Sequence, residues 1–289
     1  MHPNAATPVT EVAFPPLPER TFARAHSLAQ HTTPVVFRGL AAQWPAVREW
    51  SFARLAAQGP DQPLQLVSGN REQGATRLVH STLHRYLQSL GDAGARCDDT
   101  PYLKEFDLLA AAPQLREDLP HGPLIPRRHL QSLRSWIGPA GSRTGLHCDH
   151  LDNLAVQVIG HKRWHFARPG IVERLGRVAA KYDAWAILAD TDLGTLASMQ
   201  GACADDFFST ELGPGDVLHI PAGWWHEVRN LSASLLFGGF HGPTATVLAR
   251  WARVSARDAL HRLGWIAPGN CTCHGASKAP RIAGASRTT

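Results

Sequence analysis

His147-Cys148-Asp149 puts two metal-ligating side chains two residues apart. On a β-strand, residues i and i+2 point to the same face, so an imidazole and a carboxylate at this spacing can reach one ion. A third donor stands at His226. It follows an apolar run (Val217-Leu218-His219-Ile220) and a Pro221-Ala222-Gly223 turn, at the start of a return strand. Two imidazoles and one carboxylate on one face of an octahedron leave three positions open. That arrangement suits non-haem iron(II), which must take a bidentate cosubstrate and oxygen together. His147, Asp149 and His226 are therefore the candidate metal ligands. His150-Leu151-Asp152 repeats the His-x-Asp spacing, so the spacing to other groups must choose between the two registers. His219 and His241 flank the second segment and read as structural.

Strands must carry these side chains, and the sequence supplies them. From about Leu130 the apolar period becomes two, over Leu130 to Ile137, Asn153 to Ile159, Lys162 to Phe166, Asp216 to Ile220 and Ser234 to Phe240. Gly and Pro punctuate these runs at Gly138-Pro139, Gly160, Pro169-Gly170 and Pro214-Gly215. Many short strands with such turns indicate an all-β sandwich or barrel. The expected core spans 126–242, interrupted by a long, partly helical insertion near 171–210 that would shape a binding mouth.

Around it, residues 1–20 read as an extended, loosely held Pro-rich arm. Residues 21–125 read as helices and strands packed on the core: a short helix at Phe22 to Gln30, a buried strand at Thr33 to Gly39, helix over 43–60, a strand at Leu64 to Val67, a helix from His80 to Leu90, a strand beginning at Tyr102-Leu103 and a helical turn at Pro113 to Asp118. Residues 243–268 read as a C-terminal helix, which could pack on its own core or form the interface of a homodimer. Residues 269–289 read as a flexible basic tail. No run of apolar residues is long enough to span a membrane, and Met1 to Pro8 lacks the pattern of a secretory signal, so a cytoplasmic protein is expected.

Of the net charge of +5, Lys278, Arg281 and Arg287 in the tail supply +3, with no acid nearby. The basic balance is a tail property and argues against nucleic acid as a partner. The five cysteines are scattered and do not form a disulfide framework. Cys271-Thr272-Cys273-His274 gathers three further potential zinc ligands, although one such cluster without a second is a weak zinc motif.

Several offsets from His147 together resemble the cupin-like JmjC family of 2-oxoglutarate oxygenases, which includes the asparaginyl hydroxylase of hypoxia-inducible factor. The family has Thr three residues before its first metal histidine (Thr144 here), Asn six after it (Asn153) and Lys fifteen after it (Lys162, in Gly160-His161-Lys162-Arg163-Trp164). Its last metal histidine ends a Pro-x-x-Trp-Trp-His-like stretch, matching His226, and an upstream Tyr-Leu segment matches Tyr102 to Asp118. Starting at His150 would put His147, Val156 and His165 where the family has Thr, Asn and Lys, so only the His147 register fits.

The resemblance implies a double-stranded β-helix (jelly-roll, or cupin) core: a mainly β protein with helical N-terminal additions and a C-terminal helical segment. It implies an iron(II)- and 2-oxoglutarate-dependent oxygenase that hydroxylates a C–H bond, either of an amino-acid side chain in a protein or peptide or of a small molecule. The chain has only four lysines, and Lys162 shares its strand face with Trp164 and Phe166. A lysine on an apolar face is costly unless an anion pairs with it. The distal carboxylate of 2-oxoglutarate is the anion the resemblance implies, with Thr144 and Tyr102 donating hydroxyl hydrogen bonds to it and Asn153 near its metal end. Lys162 argues against a cupin metalloenzyme that uses no 2-oxoglutarate, and the intact triad argues against a non-catalytic metal-binding or partner-binding cupin. The asparaginyl hydroxylase has a further Asn near the end of its last core strand, where Gly238 stands here, so substrate identity does not carry over.

Overall fold

Side chains of the strand Lys162–Ala167 alternate between two environments, as the period-two pattern requires. Lys162, Trp164 and Phe166 are buried on one side of their strand, while Arg163 and His165 are partly exposed on the other. The computed structural model describes residues 14–20, 31–68, 77–91, 101–121, 124–126 and 128–272. In chain order the strands are β1 (Val35–Phe37), β2 (Pro63–Ser68), β3 (Arg77–Thr82), β4 (Leu103–Phe106), β5 (His129–Gly138), β6 (Arg143–Asp149), β7 (Asp152–Ile159), β8 (Lys162–Ala167), β9 (Ala186–Leu188), β10 (Phe207–Leu212), β11 (Val217–Ile220), β12 (Trp225–Asn230) and β13 (Ser234–Pro243). The helices are α1 (Pro45–Glu49), α2 (Phe52–Gln58), α3 (Leu83–Gly91), α4 (Leu108–Ala111), α5 (Ile171–Arg174), α6 (Leu193–Ala197) and α7 (Thr244–Arg262). None of these helices is long and apolar enough to cross a membrane.

Two antiparallel sheets face each other, in the order β1-β11-β7-β13-β5-β4 and β10-β8-β12-β6-β9. Neighbours in the second sheet are far apart in sequence, which is the connectivity of a double-stranded β-helix. Between the sheets, Ala155, Trp164, Phe166, Leu218, Ile220 and Leu236 form the inner core. The first sheet buries its outer face (Leu154, Val156, Val217, Phe237) against Trp50, Phe52, Leu55, Leu83 and Leu87 of the N-terminal helices. The second buries its outer face (Leu146, Cys148, Trp225) against Ile171, Val172, Leu193 and Leu196. Strands covered on both faces read as nearly continuous apolar runs, as β7 does.

Four expectations change. His80, Ser81 and Thr82 belong to β3, paired with Gln65, Leu64 and Pro63, and the helix starts at Leu83. The insertion closes before 207, because Phe207–Leu212 is a full edge strand paired with β8. Residues 14–20 are anchored: Leu17 N donates to Ser209 O at 3.0 Å and Val36 N to Pro18 O at 3.0 Å, so the arm covers one edge of each sheet. Asn270 to Thr272 are also docked, since Tyr182 N donates to Asn270 O and Thr272 N to Tyr182 O. The expected helix at 22–30 and the tail from Cys273 lie outside the described residues.

Candidate metal centre

β6 and β12 are neighbours in the second sheet, and their register sets His226 directly opposite His147. Asp149 follows on the same face of β6, while Cys148 between them points into the outer core, with its thiol pushed up to about 12 by burial. Asp149 Oδ1 lies 3.9 Å from His147 Nε2, and its Oδ2 lies 3.7 Å from His226 Nε2. Each of the three residues offers a ligand atom within 4.8 Å of the others, the one such group among the described residues.

The backbone fixes both rings. His147 Nδ1 sits 2.8 Å from Gly145 O, and His226 Nδ1 3.1 Å from Trp224 O. A carbonyl only accepts, so each Nδ1 carries a proton and each ring turns its Nε2 toward Asp149. Burial, with His147 adding to it, pushes the His226 pKa well below its ordinary value, keeping that ring neutral. Burial likewise pushes the Asp149 carboxyl up to about 6, with Glu105 and Asp183 adding their negative charge. Two imidazoles and a carboxylate costly to leave uncompensated are the donor set a divalent cation satisfies. The Pro221–Gly223 turn is tied beneath them, with Gly223 N donating to Asp149 O at 3.1 Å and Ala222 N to Asp152 Oδ1 at 2.9 Å. The competing pair therefore splits: Asp152 fixes this turn, while His150 lines the cavity.

A cavity of about 260 Å³ opens over the three residues and reaches Lys162, Thr144, Tyr102 and Asn153, so all seven candidate residues border it. Lys162 is 1% exposed, with Nζ donating to Tyr102 Oη at 2.9 Å and to Asn230 Oδ1 at 2.7 Å. Both partners are neutral, and burial brings the ammonium down to about 7, with Lys104 contributing. Tyr102 lies close over Gly138, where a Cβ would stand 2.5 Å from the ring.

Sequence reasoning missed Asn230. Its Nδ2 donates to Gly138 O and Pro139 O, and its oxygen holds Lys162 from the neighbouring strand. It also missed Glu105, which borders the cavity at a register break in β4 with a left-handed φ of 57°. Gly238 has a steric cause: a Cβ there would lie 2.6 Å from Trp136 Cζ3, so the indole fills the place of a side chain. Cys271 is buried beside Tyr182, while Cys273 and His274 lie outside the described residues.

A double-stranded β-helix with two histidines and a carboxylate converging inside it defines a metal-site cupin. The sequence matches the model of the cupin-like domain over residues 19–251, and the chain belongs to that family, among the JmjC cupins. It is 29% identical over 215 residues to the Lysine-specific demethylase JMJ30 of Arabidopsis thaliana, covering 70% of this chain and 48% of that protein. Identity is 26% over 203 residues to the Jumonji C domain-containing protein 5 of Drosophila melanogaster (66% and 50%). It is 27% over 245 residues to the Lysine-specific demethylase 8 of Xenopus tropicalis (78% and 52%). The chain spans about half the length of these curated relatives.

Proposed function

We propose that the protein is an iron(II)- and 2-oxoglutarate-dependent oxygenase, with His147, Asp149 and His226 as the metal ligands. The observation that carries this reading is Lys162: a buried ammonium with neutral partners, bordering the same cavity as the three ligands. An uncompensated buried cation calls for an anion, and a dicarboxylate with one end at the metal provides it. Bound iron and 2-oxoglutarate would supply oxidative decarboxylation to succinate and carbon dioxide, coupled to hydroxylation of a substrate C–H bond.

The residues would bind and orient. Lys162 and the hydroxyls of Tyr102 and Thr144 hold the distal carboxylate, and Asn153 lies near the metal end. Asn230 holds Lys162 in place, and Trp136, Trp164, Leu236 and Phe240 wall the cavity with apolar surface that excludes water. The substrate in this reading is an amino-acid side chain of a protein or peptide, a class to which the names of the demethylase relatives point. A homodimer through α7 belongs to the same reading, because that helix buries only Val254 and His261.

The test is 2-oxoglutarate binding and turnover. The iron(II)-loaded protein should bind 2-oxoglutarate without oxygen and release succinate with it. His226→Ala should abolish iron binding, and Lys162→Ala should weaken 2-oxoglutarate binding at least tenfold while iron still binds. Unchanged 2-oxoglutarate binding in Lys162→Ala would falsify the assignment.

A further inference from the structure

Asp183, Trp185 and Ala186 border the cavity, and the segment Tyr182 to Ala186 is held by the C-terminal stretch Asn270 to Thr272. Asp183 Oδ1 accepts from Trp185 N at 2.9 Å and from Ala186 N at 3.0 Å, forming a tight turn. Its other oxygen accepts from Thr272 Oγ1 at 2.5 Å. Tyr182 N donates to Asn270 O at 2.9 Å, and Thr272 N to Tyr182 O at 3.0 Å. The Tyr182 ring stacks on His261 of α7 with centroids 4.4 Å apart, under the Arg257 guanidinium at 5.5 Å. On the cavity side, Ala186 pairs with Asp149 in the β9–β6 ladder. Trp185 therefore precedes the residue facing a candidate metal ligand.

Trp185 borders the cavity and is 48% exposed. A single exposed apolar side chain is ordinary. This one differs in standing on a turn fixed at both of its backbone ends, at a cavity that Leu151 and Phe240 also line. An indole on a backbone held in place offers a large, rigid contact face with only two side-chain torsions to order on binding.

We propose that Trp185 is the residue against which a peptide substrate lies, and that Asn270–Thr272 is the strut that positions it. This rests on the oxygenase reading above. Trp185 sets where the substrate sits relative to Asp149. Thr272 acts through Asp183 and is a positioning residue.

The test uses the full-length iron-loaded protein and an equimolar pool of synthetic 13-residue peptides carrying each of the twenty residues at the centre. Trp185→Ala should lower peptide-dependent succinate formation at least tenfold. Its 2-oxoglutarate affinity and peptide-independent decarboxylation should stay at the wild-type level. Trp185→Phe, which keeps an aromatic face, should recover most of the rate. Thr272→Val, losing the hydroxyl that bonds a carboxylate, should raise KM for the pool about threefold or more. It should also speed amide hydrogen exchange over 182–186, and Thr272→Ser should restore both. Wild-type peptide-dependent turnover in Trp185→Ala, or none from the wild type, overturns the proposal. Absence of 2-oxoglutarate binding in the wild type overturns instead the oxygenase reading.

Discussion

Asn230 and Lys162 face each other across β12 and β8, and the amide oxygen accepts from the ammonium at 2.7 Å. The same amide donates to Gly138 O and Pro139 O, so one side chain joins Lys162 to the end of β5 in the opposite sheet. Asn230→Ala should remove two bonds to backbone carbonyls, of which Pro139 O keeps Ser142 N as a donor, and one bond to a charge, costing about 1–3 kcal/mol of stability. It should also weaken 2-oxoglutarate binding about tenfold, since Lys162 loses its fixed position. Melting curves together with anaerobic titration separate the two effects. A lowered melting temperature with unchanged affinity would leave Asn230 a purely structural residue.

His147 and Asp149 were readable because a strand's period of two is strict, and Lys162 because lysine is rare in this chain and sits on an apolar face. Asn230 carries no such mark. In Arg229-Asn230-Leu231-Ser232 it looks like a turn residue, and its role appears only once the register pairs it with Lys162. The strand β3 was obscured because His80-Ser81-Thr82 runs straight into a helical pattern, so its pairing with β2 decides the boundary. The docking of Phe14–Arg20 and Asn270–Thr272 rests largely on backbone hydrogen bonds, to which composition is blind, with Leu17, Phe14 and Thr272 adding side-chain contacts.

Lys162 predicts a pH dependence. Burial lowers its pKa from 10.5 to about 7. Between those values the unfolded chain holds the extra proton, so the ligand-free fold should gain stability as pH rises through that window. An anion needs the charged form, so 2-oxoglutarate affinity should fall about tenfold per pH unit above about 7. Calorimetry of the iron-loaded protein without oxygen from pH 6 to 9 checks this. A flat affinity across that range contradicts it.

Gly238 and Trp136 share one volume. Gly238→Ala would press a Cβ to 2.6 Å from Trp136 Cζ3 and should cost about 1–3 kcal/mol through overpacking. Trp136→Phe removes the benzo edge that meets it, so the double variant should recover part of the loss. Denaturant melts of the four proteins in this cycle give the coupling. Additive effects would mean the indole yields without strain and does not dictate glycine.

α7 exposes Leu248 at 55% and Trp251 at 59%, one helical turn apart on a face its own core leaves uncovered. Covering this strip with the same helix of a second copy would bury both residues twice through two-fold symmetry, because an isologous interface repeats every contact. Trp251→Asp would then place two carboxylates in that interface, where their desolvation opposes association. Light scattering should return twice the chain mass for the wild type and the single-chain mass for Trp251→Asp. The cavity residues lie on other elements, so 2-oxoglutarate affinity should be the same in both proteins. A wild-type protein of single-chain mass at micromolar concentration removes the dimer and leaves the strip to another partner.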